Sequence, residues 1–115
     1  QRLIKRDRLN KSDPSLIAAV QVMEANLAQP LKVPVIALQI GISQRQLERV
    51  FGKFMGVTPN EYYIHLRIER ARILLRQTSL QVSTIAYSCG FSSQAVFARV
   101  YRKHFELPPS KDREV

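Results

Sequence analysis

The chain has 115 residues, 45% of them hydrophobic, with 18 Lys and Arg against 9 Asp and Glu, a formal charge of +9. That length suits one domain or two very small ones, and the apolar content excludes a chain disordered by composition. A lone cysteine, Cys89, excludes an internal disulfide framework and any Cys-pair zinc site; no apolar run approaches the roughly 18 residues of a membrane span, and the start lacks a secretory signal, so a cytoplasmic protein is expected.

Residues 1–13 carry Arg2, Lys5, Arg6, Arg8 and Lys11 against Asp7 and Asp13 with little apolar periodicity, and read as a basic interdomain linker. The first residue is Gln, so a fragment with a partner domain upstream is expected. Asp13 caps a first helix with Pro14 at its opening position, and Leu16, Ile17, Val20, Met23, Ala25 and Leu27 recur near a helical period until Pro30. A short apolar helix from Pro34 to Ile40 stops at Gly41, whose missing Cβ permits a left-handed backbone. Ser43-Gln44-Arg45-Gln46 is a capping box that opens a helix to about Met55, which Gly56 ends. Thr58-Pro59-Asn60-Glu61 is a second capping box and opens a long helix to about Arg76, with Ile64, Ile68, Ala71 and Leu75 as its apolar stripe. Val82 to Ser88 is again a short apolar helix, Gly90 again a stop, and Ser93 to about Phe105 again a longer helix, after which Pro108-Pro109 closes the fold. No stretch alternates with period two, so the expected fold is all-α.

A strongly basic small chain predicts attraction to polyanions, nucleic acid first and anionic membrane second. Of the 18 cations 12 are Arg, whose planar fork suits phosphate and guanine edges where Lys is a point charge. Cations also simply solvate helix faces, so position decides.

The chain repeats itself. Ile36-Ala37, Gly41, Ile42 and Ser43 match Ile85-Ala86, Gly90, Phe91 and Ser92 at an offset of 49, while Leu47, Arg49, Val50, Lys53, Val57 and Pro59 match Phe97, Arg99, Val100, Lys103, Leu107 and Pro109 at 50. The extra residue falls in the tight turn, where Gly90-Phe91-Ser92-Ser93 replaces Gly41-Ile42-Ser43. Two copies of short helix, Gly-apolar-Ser turn and longer helix predict two helix-turn-helix subdomains, over 14–57 and 78–115, joined by a linking helix over 58–77. In the helix from Ser43, Leu47, Val50, Phe51 and Phe54 form an apolar stripe that leaves Gln44, Arg45, Glu48, Arg49 and Lys53 outward. In the helix from Ser93, Phe97, Val100, Tyr101 and Phe105 point inward and Gln94, Ala95, Ala98, Arg99 and Arg102 outward. A major groove about 12 Å wide admits one helix, whose early residues reach base edges while neighbouring cations hold phosphates. The long helix, at about 27 Å, suits a strut holding two reading helices about one DNA turn apart, in successive major-groove segments.

Ile36-Ala37, Gly41-Ile42-Ser43, Leu47-Glu48-Arg49, Val50-Phe51, Gly56-Val57-Thr58-Pro59, Tyr62, Leu66-Arg67-Ile68, Arg70-Ala71, Leu74-Leu75, Ile85-Ala86, Cys89-Gly90-Phe91-Ser92-Ser93, Phe97, Phe105 and Pro109 together resemble the DNA-binding domain of AraC/XylS-type bacterial transcription regulators. The match covers nearly all of residues 14–113. The resemblance implies seven helices, binding to double-stranded promoter DNA, contact with RNA polymerase, and an upstream sensor or dimerisation domain. Carried over by position, it implies base contacts from Gln44, Arg45, Glu48 and Arg49, with Gln46 as a neighbour, and from Gln94, Ala95 and Arg99. Ser43, Lys53, Ser92, Ser93, Arg102 and Lys103 are the accompanying phosphate candidates. Ala95 and Ala98 offer only small apolar contacts, such as to a thymine methyl, so the first subdomain is expected to carry more of the discrimination. Glu106 stands where the family favours Gly, and Asp112 where an aromatic often precedes Arg113, which predicts a looser C-terminal closure. Arg45-Gln46-Leu47-Glu48-Arg49 resembles the subgroup with an amidotransferase-like upstream domain.

The remaining residues have plainer readings. Cys89 reads as a small buried thiol. His65 and His104 lie 39 positions apart with no carboxylate at a metal-ligand spacing, and read as surface or boundary residues, His104 with a possible phosphate contact. Tyr62, Tyr63, Tyr87 and Tyr101 read as core or rim, with phosphate contact as the lesser alternative. Arg67, Arg70, Arg72 and Arg76 circle the long helix and cannot all face DNA, and Arg72 is spaced to pair with Glu69. Glu48 repels phosphate unless it accepts from a cytosine amino group or orients Arg45 or Arg49. No activated nucleophile, paired carboxylates, phosphate-cradling loop or metal cluster is assembled by these spacings, so no enzyme, cofactor or metal is expected. The competing functions are charge-only nucleic-acid binding and a helical protein-interaction module; membrane binding is disfavoured because no helix joins a wide apolar face to a continuous basic one.

Overall fold

The computed structural model describes residues 13–114, and among the described residues there are seven α-helices and no strand. The predicted basic linker, apart from Asp13, lies outside the described residues. Helix α1 (Pro14–Ala25) starts where the Asp13 carboxylate accepts from the Ser15 N–H at 2.7 Å. It ends at Ala25, before the expected boundary at Pro30, because the Asn26 side chain donates to the Val22 carbonyl at 2.8 Å and breaks the ladder, which removes Leu27 from the stripe. Helices α2 (Val33–Ile40), α3 (Gln44–Met55) and α4 (Pro59–Gln77) follow, then α5 (Val82–Ser88), α6 (Gln94–Phe105) and α7 (Pro109–Glu114).

Helix α7 corrects the expectation that Pro108-Pro109 closes the chain. Proline at a first helical position gives up only an N–H that has no intrahelical partner. The Pro108 carbonyl accepts from both Lys111 and Asp112 N–H at 3.1 Å, so the proline pair opens a helix, the seventh that the family resemblance implies.

The described residues form two compact units, one holding α1, α2, α3 and residues 59–64 of α4, the other holding residues 65–77 of α4 with α5, α6 and α7. In the first, α1, α2 and α3 pack on one another around Leu16, Met23, Ile36, Leu47 and Phe51, none of which retains any exposed surface. Burying such side chains contributes about 1.5 to 3 kcal/mol each. Tyr63 fastens the segment after α1, its hydroxyl donating to the Asn26 carbonyl and accepting from the Leu31 N–H at 3.1 Å. The sequence placed this tyrosine in core or rim without finding that tether.

In the second unit Ile68, Ala71 and Leu75 meet Ile85, Ala86, Cys89, Phe97 and Tyr101 in one core. Cys89 is fully buried, as read from sequence, and burial pushes its thiol pKa up. Asp112 is only 1% exposed and closes this unit from α7. It accepts from the Tyr101 hydroxyl and from Arg76 Nε and Nη2 at 3.1 and 2.6 Å, and Arg72 Nε lies 3.1 Å away. The expected looser closure is therefore a polar clamp, and the pairing predicted for Arg72 with Glu69 gives way to Asp112 and the Phe105 ring, 4.3 Å from the Arg72 guanidinium. Arg113 adds a bond from Nε to the Leu75 carbonyl at 3.1 Å.

The substitution at Glu106 has a cost. Glu106 caps α6 at φ 66°, whereas its repeat counterpart Gly56 caps α3 at φ 69°. A Cβ in this left-handed region costs about 1 kcal/mol. Glu106→Gly is expected to raise unfolding free energy by about 0.5 to 1 kcal/mol despite the added freedom of the unfolded chain. Urea denaturation checks it, and a lower midpoint would contradict the strain.

Candidate nucleic-acid interface

Each unit contains a short helix, a turn and a longer helix. Gly41 caps α2 directly at φ 80°, while in the second copy Cys89 ends α5 and Gly90 takes the left-handed conformation at φ 86°. The caps that open the longer helices are Ser43 and Ser93, 50 positions apart, so the inserted residue lies between the glycine and the cap. Arg67 on α4 supports the second turn: its Nη1 donates to the Gly90 carbonyl at 3.1 Å and its guanidinium lies 4.7 Å from the centre of the Phe91 ring. Of the cations circling α4, Arg67, Arg72 and Arg76 thus have structural partners within their own unit.

Both longer helices begin from a side-chain cap. The Ser43 hydroxyl accepts from the Gln46 N–H at 3.0 Å and Gln46 Oε1 accepts from the Ser43 N–H at 3.2 Å, which occupies the Gln46 side-chain oxygen in the cap. Ser93 accepts from the Val96 N–H at 3.1 Å. Leu47, Phe51 and Met55 are the buried side of α3, and Phe97 and Tyr101 that of α6. This leaves Gln44, Arg45, Glu48, Arg49 and Lys53 exposed together on α3, and Gln94, Ala95, Arg99, Arg102 and Lys103 exposed on α6, with Ala98 half-buried. Of the serine candidates, Ser43 and Ser92 are exposed and Ser93 is half-buried.

The charges on these faces are partly organised. Gln44 Nε2 donates to Glu48 Oε2 at 3.4 Å, so the carboxylate finds an amide partner where the sequence reading offered Arg45 or Arg49. Lys53 Nζ sits 5.2 Å from the centre of the Phe54 ring. Lys53, and Arg102 with Lys103, also lie in the last turns of their helices, where a cation stabilises the helix dipole whatever else it binds.

The histidines depart most from the sequence reading. His65 Nδ1 and His104 Nε2 lie 3.1 Å apart, and Glu69, one turn beyond His65, is beside them. Spacing along one chain gave no hint of the pair because its members sit on different helices, although the His65 to Glu69 separation of one turn was available to find. Burial lowers both imidazole pKa values against the opposing effect of Glu69, and His65 lowers that of His104 further. No helix among the described residues is long and apolar enough to cross a membrane.

Two helix-turn-helix units with exposed, cation-bearing second helices define a tandem helix-turn-helix protein. The profile of a family described as a helix-turn-helix domain matches residues 36–114. A crystal structure of a transcriptional regulator from Chromobacterium violaceum, described as an AraC-type DNA-binding domain-containing protein, is similar at 46% identity and a TM-score of 0.85, over 88% of this chain and 90% of that one. The chain belongs to the AraC-type helix-turn-helix family. It is also 44% identical over 98% of its length to the HTH-type transcriptional regulator ArgR of Pseudomonas aeruginosa, of which it covers 34%. The DNA-binding domain of AdpA, crystallised with a target DNA, matches at 27% identity and a TM-score of 0.82 over 90% of this chain and 92% of that one. The chain spans about a third of the length of the curated relatives it matches first, at 34% and 31%.

Proposed function

We propose that this chain is the DNA-binding output module of a bacterial transcription regulator, reading double-stranded promoter DNA with α3 and α6, one in each of two successive major-groove segments, and without catalysis. The observation that carries it is the duplicated arrangement of a capped helix whose apolar side is buried and whose opposite side presents Gln and Arg from its first two turns. In this reading Gln44, Arg45, Glu48 and Arg49 on α3, and Gln94, Ala95 and Arg99 on α6, meet base edges. Ser43, Lys53, Ser92, Ser93, Arg102 and Lys103 hold phosphates, and the subdomains 14–57 and 78–115 act as the two reading units. Support comes from the DNA-bound relative AdpA and from the exposure of all these side chains except the half-buried Ser93. An upstream sensor or dimerisation domain and contact with RNA polymerase belong to the same proposal, supported by the length of the relatives named as regulators.

Selection of bound sites from random duplexes tests this reading. Two short preferred blocks about one turn, or 34 Å, apart are expected. Affinities on a selected and a scrambled duplex at two salt concentrations then separate sequence reading from charge-only attraction, since counterion release weakens both duplexes alike. Lys53→Ala is expected to weaken both to the same degree and to reduce the salt slope by about 1. Equal affinity for the two duplexes would reject sequence reading, and no binding to either would leave the protein-interaction alternative.

A further inference from the structure

We propose that His65, Glu69 and His104 form a binding site for a divalent transition-metal ion of the zinc class, which would tie α6 to α4 within the second unit. His65 and Glu69 stand one turn apart on α4 and so share a face, while His104 reaches them from the last turn of α6. One ligand atom from each of the three lies within 4.8 Å of the others. The facing nitrogens, His65 Nδ1 and His104 Nε2, are 3.1 Å apart. Two nitrogens bound tetrahedrally to zinc at about 2.0 to 2.1 Å are about 3.3 Å apart, so the nitrogen separation already matches to within a few tenths of an ångström, and ligation needs the two rings to turn until both lone pairs meet at one point with the Glu69 carboxylate drawn in beside them.

Donor chemistry selects the ion. Two imidazoles with one carboxylate suit zinc and its neighbours, whereas calcium and magnesium require mostly oxygen ligands. Three protein ligands leave the fourth tetrahedral position to water, which the half-buried setting of all three residues permits. In the metal-free pair one ring N–H points at the other ring's nitrogen. On binding, the donor histidine carries that proton on its outward nitrogen, a tautomer change without net proton release. The Glu69 carboxylate supplies negative charge beside the ion, which offsets the Arg72 charge acting on His104.

The test uses the untagged 115-residue chain, dialysed against zinc chloride and assayed for retained metal, with circular dichroism as the folding check. One zinc per chain is expected, unaffected by a large excess of magnesium, together with a higher melting temperature. Glu69→Gln preserves the histidine contact and is expected to weaken binding at least about tenfold, and His104→Gln to abolish it. Cobalt titration gives a second readout, a tetrahedral visible spectrum that His104→Gln removes. Failure of the wild-type chain to retain zinc would overturn the proposal. So would retention unchanged in Glu69→Gln and His104→Gln, which would place the metal elsewhere. None of these readouts involves DNA, so their outcome is independent of the proposed regulatory function.

Discussion

Asp112→Ala is expected to lower unfolding free energy by about 2 to 3 kcal/mol, because Asp112 is 1% exposed and is the shared acceptor of Tyr101 and Arg76. Losing one member of a buried ion pair costs about 3 to 5 kcal/mol when the remaining charge stays buried. Here Arg72 and Arg76 keep 32% and 44% of their side-chain surface in solvent, so their guanidinium charges are only partly desolvated and the upper values are not reached, although Arg72 Nε, which faces Asp112, is itself buried. The Tyr101 hydroxyl is fully buried and loses its acceptor, which alone costs about 1 to 3 kcal/mol. Asp112→Asn keeps an acceptor for Tyr101 and is expected to lose less. Urea unfolding of the three chains checks the order, and an unchanged midpoint in Asp112→Ala would show that the clamp is energetically idle.

The same carboxylate sets an acid limit. Burial acts to raise its pKa, but the hydrogen bonds from Tyr101 and Arg76 and the charges of Arg72 and Arg76 outweigh it and hold the group below the ordinary carboxylate value. In the unfolded chain an Asp titrates near about 3.9. The unfolded state therefore binds more protons between the folded and unfolded values, so this contribution is complete above about pH 4 and is lost as pH falls through the lower folded value. Denaturation profiles between about pH 3 and 6 should fall less steeply at the acid end in Asp112→Asn than in the parent.

The second large effect concerns DNA. Arg45→Ala and Arg49→Ala are each expected to weaken binding to the selected site by about 1 to 3 kcal/mol, roughly 5- to 150-fold, and to relax preference at one or two base pairs. Both residues are exposed beside Gln44 and Glu48 on a helix whose other side is buried, so their loss removes no core contact. Arg99→Ala is expected to have a smaller effect on discrimination because its neighbours Ala95 and Ala98 offer only methyl contacts. Titrations of labelled duplexes carrying single base changes measure this. An equal loss on every duplex would assign the arginines to phosphate contact.

Local devices were readable from the chain. The capping boxes Ser43 with Gln46 and Thr58 with Glu61 formed as expected, as did the left-handed glycines and the repeat with its extra turn residue. Sequence reading went astray where a local alternative won, at Asn26 and at the proline pair before α7. It also misjudged Asp112, whose unfavourable look as a replacement for an aromatic ignored the arginines and tyrosine that receive it.

By itself, then, the sequence determined helices α2 to α6, the side-chain caps that open α1, α3 and α4, the duplicated turn and the outward faces of α3 and α6, because each depends on residues within a few positions of one another. Only the tertiary structure decided that Tyr63 meets Asn26, that Arg76 meets Asp112 and that His65 meets His104, across 37, 36 and 39 positions. Contacts of that span follow from which helix faces pack together, and apolar burial sets that packing without regard to the polar groups it brings face to face.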